Sequence, residues 1–107
     1  VRQLTDLTFA EFVGANRFAV VHFWATWNRY DDQMREVLER QIPSSRRDRV
    51  SFAAIDIDPE AHWSICRELG VMNLPFLAFY REGVVFQTET GLRTPEQIVS
   101  ILERLTA

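Results

Sequence analysis

The sequence contains no lysine: all twelve of its basic residues are arginine. Schiff-base chemistry and amine nucleophiles supplied by lysine are therefore excluded. Codon bias is the simplest source of this imbalance, although Arg also makes bidentate contacts that Lys cannot. Cysteine is nearly absent too. Cys66 is the single thiol, so no disulfide can close within the chain and cysteine usage does not reveal a compartment. No apolar run approaches the roughly 20 residues that a membrane-spanning helix needs. Repeats, low-complexity tracts, interdomain linkers and a signal-peptide pattern are all missing. The chain opens on Val1, which fits a trimmed initiator methionine or signal, or excision from a longer protein. Positive charge is in deficit. A net charge of -3 offers no attraction to nucleic acid or an anionic membrane surface. The expectation is a soluble chain, with the cytoplasm favoured.

Large apolar side chains, by contrast, are plentiful. Eight Phe and three Trp among 107 residues supply a core for one compact domain, expected to span residues 1–107. Thr8 and Glu11 have capping-box spacing before an apolar stretch, predicting a helix over about 6–15. Phe18–Ala25 is almost continuously apolar, the pattern of a strand covered on both faces. Met34, Val37 and Leu38 give a helical stripe over 30–41, stopped by Pro43. The polar run 44–49 reads as a connector, and Val50–Ile57 as a second buried strand. Asp58 and Pro59 predict the cap and first position of a third helix. Its inner stripe is Ala61, Ile65 and Leu69, and Gly70 is its stop. Two further apolar runs, 76–80 and 84–88, flank Arg81-Glu82-Gly83 as a β-hairpin. Thr94-Pro95-Glu96-Gln97 starts a last helix with Ile98, Ile101, Leu102 and Leu105 as its buried face. A short strand near Arg2–Leu4 completes an α/β order that predicts a mixed sheet with helices on both faces.

The segment Phe23-Trp24-Ala25-Thr26-Trp27-Asn28-Arg29-Tyr30-Asp31 resembles the thioredoxin active-site segment F-W-A-x-W-C-x-x-C. Four more landmarks follow in register: Ile55–Asp58, Leu69–Pro75 with its G-V-x-x-x-P pattern, the Phe79–Gly83 hairpin, and Gly91. Together they imply the thioredoxin fold over nearly the whole chain, a three-layer α/β/α sandwich with a mixed central sheet. The departures are equally specific. Asn28 and Asp31 stand where the family has its two cysteines. His22 stands where a buried Asp is usual, the Lys usual near Phe52 and Ala53 is absent, and Glu36 replaces the helix-kinking proline. The resemblance with these departures implies a redox-inactive member with no catalytic residue and no disulfide oxidoreductase activity.

For the site itself, Asn28 is expected as a helix N-cap. Asp31 and Asp32 would then lie in the first turn, where the helix dipole favours carboxylates by about 0.3–1 kcal/mol each. Arg29 opposes that dipole, which makes Asn28, Arg29, Tyr30 and Asp31 a candidate polar recognition surface. In the family the residue before the proline offers its backbone to an extended peptide. Here that implies a groove formed by Trp27, Asn28, Arg29, Tyr30, Leu74, Pro75, Gly91 and Leu92. Trp24 is expected in the core and Trp27 at the surface. His22 should be buried and hydrogen-bonded. Asp56 and Asp58 mark a strand end and a cap rather than an acid–base pair. Cys66, His22 and His62 lack metal-ligand spacing, so no metal and no cofactor is expected. The leading expectation is a module that binds a protein or extended peptide. The alternatives are a single-cysteine redox protein using Cys66, for which His62 lies one turn away, and a structural or dimerisation domain of a larger protein.

Overall fold

A computed structural model describes residues 1–107. The alternation of apolar runs with helical stripes resolves into one five-stranded sheet. Its strands are β1 (Arg2–Leu4), β2 (Phe18–Trp24), β3 (Ser51–Asp56), β4 (Phe76–Arg81) and β5 (Val84–Thr90), in the order β1-β3-β2-β4-β5. β1, β3 and β2 are parallel, and β4 and β5 join antiparallel. The helices are α1 (Phe9–Ala15), α2 (Tyr30–Arg40), α3 (Ser44–Arg47), α4 (Trp63–Leu69) and α5 (Pro95–Leu105). The expected sandwich with a mixed central sheet is thus the observed architecture. No helix is long and apolar enough to cross a membrane.

The two-residue period of the strands divides the core. Phe18 and Val20 of β2 join Met34, Val37 and Leu38 of α2 and the apolar face of α5 on one side of the sheet. Ala19, Val21 and Phe23 join Phe12 and Val13 of α1 on the other. There the Phe23 and Phe76 rings meet edge to face at 5.5 Å. In this register His22 continues the Phe18–Val20 row and falls beneath α2. It pairs across the sheet with Ala54 of β3 and Leu77 of β4.

Turns and caps account for most boundaries. Arg81 pairs with Val84, leaving Glu82 and Gly83 as a two-residue turn with φ of 50° and 80°, the geometry that matches the strand twist. Thr94 accepts from the Gln97 backbone while the Gln97 side chain accepts from the Thr94 backbone, closing the expected capping box. Gly70 ends α4 in the left-handed region.

Several local expectations are corrected. Thr8 makes no cap for α1; its hydroxyl accepts from the Thr5 backbone at 2.9 Å, and the helix starts only at Phe9. The connector after Pro43 contains the short helix α3. The third helix opens as a 3₁₀ turn, Glu60–His62, with no side-chain cap, and its inward residue there is His62 rather than the exposed Ala61. Trp24 is only partly buried. Its indole donates to Gln3 at 3.0 Å, and the Arg35 guanidinium lies 5.8 Å from its ring.

Candidate functional site

β2 runs into the loop Ala25–Arg29, which delivers Trp27, Asn28 and Arg29 to one end of the sheet before α2 begins. The Tyr30 backbone N–H donates to Asn28 Oδ1 at 2.9 Å. Asn28 thereby satisfies a helix-start donor, as Asn does at a helix entrance. The helix itself starts at Tyr30 with Arg29, not Asn28, in the cap position, so Asp31 is its second residue. The other end of the Asn28 amide donates to the Leu74 carbonyl at 3.5 Å. One side chain therefore links the start of α2 to the segment preceding Pro75.

Asp31 departs most from expectation. It does not join a surface with Asn28, Arg29 and Tyr30, because it is 1% exposed and points inward. Its Oδ1 lies 3.1 Å from His22 Nε2, and its Oδ2 accepts from the Ala25 backbone N–H at 3.0 Å. His22 is 3% exposed. A carboxylate at Oδ1 places the donated hydrogen on Nε2 of His22. The pair clamps the end of β2 to the first turn of α2 and closes the loop carrying Trp27. Beside it lies an enclosed hollow of about 20 Å³, lined by His22, Arg35, Glu39, Arg47 and Phe52 among others, with room for a single water. Arg47 also has a buried Nη1 without a partner.

The remaining predicted binding residues separate into surface and support. Trp27 is 66% exposed, Tyr30 43% and Leu92 40%; Arg29 is exposed, while Asn28, Leu74 and Gly91 are partly so. Pro75 is a correction: its side chain is fully buried and lines no groove. It follows a cis peptide bond from Leu74, and its carbonyl accepts from the Gly91 backbone N–H at 2.7 Å. That bond brings the 91–92 turn beside the Leu74 segment. The Leu74 N–H makes no hydrogen bond within the chain. An open hollow of about 590 Å³ lies next to this face, between α2 (Asp32, Gln33, Glu36, Val37) and residues 92–95, with Leu92 the one predicted residue on its wall.

A second group meets at Asp58. Rather than capping a helix, its carboxylate accepts from Trp27 Nε1 at 2.9 Å, and its carbonyl accepts from Trp63 Nε1 at 3.3 Å. His62 is buried, with Nδ1 2.6 Å from the Asp56 carbonyl oxygen. Cys66 is partly buried and lines a shallow hollow with Ile57, Trp63, Arg67 and Val71. Burial pushes its thiol pKa up, opposed by a backbone hydrogen bond, so the thiolate form is disfavoured at neutral pH. No group of three His, Cys, Asp or Glu side chains is arranged to hold a metal ion.

Relatives provide the context for this geometry. The thioredoxin family model matches residues 1–104. Thioredoxin from Listeria monocytogenes is 29% identical over 106 residues, covering 97% of both chains. Thioredoxin from Malassezia sympodialis is 28% identical over 83 residues, covering 78% of this chain and 77% of its own. The crystal structure of Malassezia sympodialis thioredoxin superposes with a TM-score of 0.85 at 24% identity, over 100% of this chain and 91% of that one. These findings correct the expectation of a non-catalytic domain. Relatives matching over most of the chain are themselves thioredoxins, and that points toward redox activity. With its strand order, its Leu74–Pro75 turn and its family match all in agreement, this chain belongs to the thioredoxin family.

Proposed function

We propose that this thioredoxin-family domain binds an extended protein segment across Trp27, Asn28, Arg29, Tyr30, Leu74, Gly91 and Leu92, with Pro75 as the buried support. The observation that carries this reading is an exposed Trp27 ring, next in sequence to Asn28, whose amide reaches the Leu74 carbonyl while the Leu74 N–H stays unbonded. An extended peptide can pair with that backbone and lay a side chain on the indole, and neither contact needs a thiol. Asn28 competes only weakly for the Leu74 carbonyl, because its bond there is long at 3.5 Å. Trp27→Ala is expected to weaken binding of an unfolded-protein probe, reduced carboxymethylated lactalbumin, by about tenfold, within the range of an aromatic anchor. Tyr30→Ala should weaken it less. Equal binding by all three proteins would refute the reading.

Family membership supports a second reading, thiol–disulfide exchange. In this chain such exchange runs only through Cys66. The thiolate attacks one sulfur of a substrate disulfide, the S–S bond breaks, and the other sulfur leaves as a thiolate. A mixed disulfide remains, and an external thiol must resolve it. Insulin reduction with glutathione present, abolished by Cys66→Ser, would support this chemistry. Activity unchanged by Cys66→Ser would refute it.

A further inference from the structure

We infer that the segment held on this face carries an acidic side chain opposite Arg29, with an apolar side chain over Trp27. The inference rests on the peptide-binding reading above and adds the chemistry of the partner. Most charges near the face are already matched: Asp32 pairs with Arg35 at 2.9 Å, Glu36 with Arg40 at 3.5 Å, and Glu89 with Arg93 at 2.8 Å. Arg29 is exposed and takes part in no ion pair. Its guanidinium lies 5.2 Å from the centre of the Tyr30 ring, and its Nη2 donates to the Tyr30 hydroxyl at 3.4 Å. Stacking holds the planar group in place, and only one of its donors is used. A carboxylate could then be met bidentately at small entropic cost.

Its position strengthens the argument. Arg29 occupies the cap position of α2, where the positive end of the helix dipole disfavours a cation. Its own backbone N–H makes no hydrogen bond within the chain. A partner carboxylate would oppose both the side-chain charge and the helix end. The charge held at the Trp27 indole differs in sign. Asp58 accepts from the Trp27 indole and has no cationic partner, so a second acid beside Trp27 would be repelled. Nucleic acid is disfavoured as the source of the negative charge, because the chain itself carries -3.

The test is selection from an immobilised library of acetylated dodecapeptides with randomised central positions. Labelled wild type, Trp27→Ala and Arg29→Glu proteins serve as probes, each shown to be folded by circular dichroism. Wild type should enrich Asp or Glu at one position relative to an apolar one, and Arg29→Glu should turn that preference to Lys or Arg. For a resynthesised selected peptide, changing the acid to its amide should weaken wild-type binding about threefold to tenfold and leave Arg29→Glu binding unweakened. Selection without acidic bias, or a bias that Arg29→Glu retains, overturns the inference while the peptide-binding reading stands. Failure of wild type to enrich any sequence beyond Trp27→Ala overturns both.

Discussion

Replacing Asp31 by Ala should destabilise the protein far more than a surface substitution would. The side chain is 1% exposed and serves two donors, the Ala25 backbone N–H at 3.0 Å and His22 Nε2 at 3.1 Å. Removal strands both in a buried site. A buried donor left without an acceptor costs about 1–3 kcal/mol, and two such donors are left here. The expected loss is therefore about 2–6 kcal/mol, a large part of the roughly 5–15 kcal/mol that holds a small domain folded. Asp31→Asn should cost less. Its oxygen can still accept from Ala25, and its amide can donate to the other tautomer of His22. Urea unfolding followed by tryptophan fluorescence and circular dichroism gives the two values, and a cycle with His22→Leu isolates the coupling. If Asp31→Ala costs under about 1 kcal/mol, or if the cycle shows no coupling, the pair is not the clamp described here.

Two further outcomes follow from the geometry. Burial, assisted by the nearby Glu68 charge, pushes the Tyr80 hydroxyl up to about 12. Its contribution to stability is full below the ordinary tyrosine value near 10 and is lost as pH rises through the folded value, so stability should fall between about pH 10 and 12. With no lysine in the chain, the burial-raised Cys66 thiol is the other group that adds to the alkaline fall, so in a Cys66→Ser background Tyr80→Phe should flatten the fall in an alkaline urea-midpoint series. Thr94→Ala opens the capping box at α5; it should cost about 1 kcal/mol by thermal unfolding, and no loss would show the box to be dispensable.

Much of this was legible in the residues. Thr94, Pro95 and Gln97 name a helix start because local hydrogen bonds alone decide it. Glu82-Gly83 names a tight turn for the same reason. The His22–Asp31 pair was written in the periodicities but split between two elements. His22 continues the Phe18–Val20 row, and Asp31 precedes Met34 and Leu38 at helical spacing. Each alone reads as a lone polar residue, and only the packing of α2 on β2 shows that they answer one another. An Asp before a proline reads as a local cap, whereas the partner of the Asp58 carboxylate, Trp27, lies 31 residues away. The family resemblance puts Pro75 at a groove; its burial, and the bond its carbonyl accepts from Gly91, are tertiary facts that its neighbours in sequence do not encode.

The imidazole–carboxylate clamp also limits how readily this scaffold could be retrofitted with a dithiol centre. Substituting cysteine at 28 and 31 would supply the sulfur atoms but withdraw the acceptor that His22 and the Ala25 amide both depend on. An engineer would have to exchange His22 in the same step, so the route back to a vicinal thiol pair passes through the interior of the sheet.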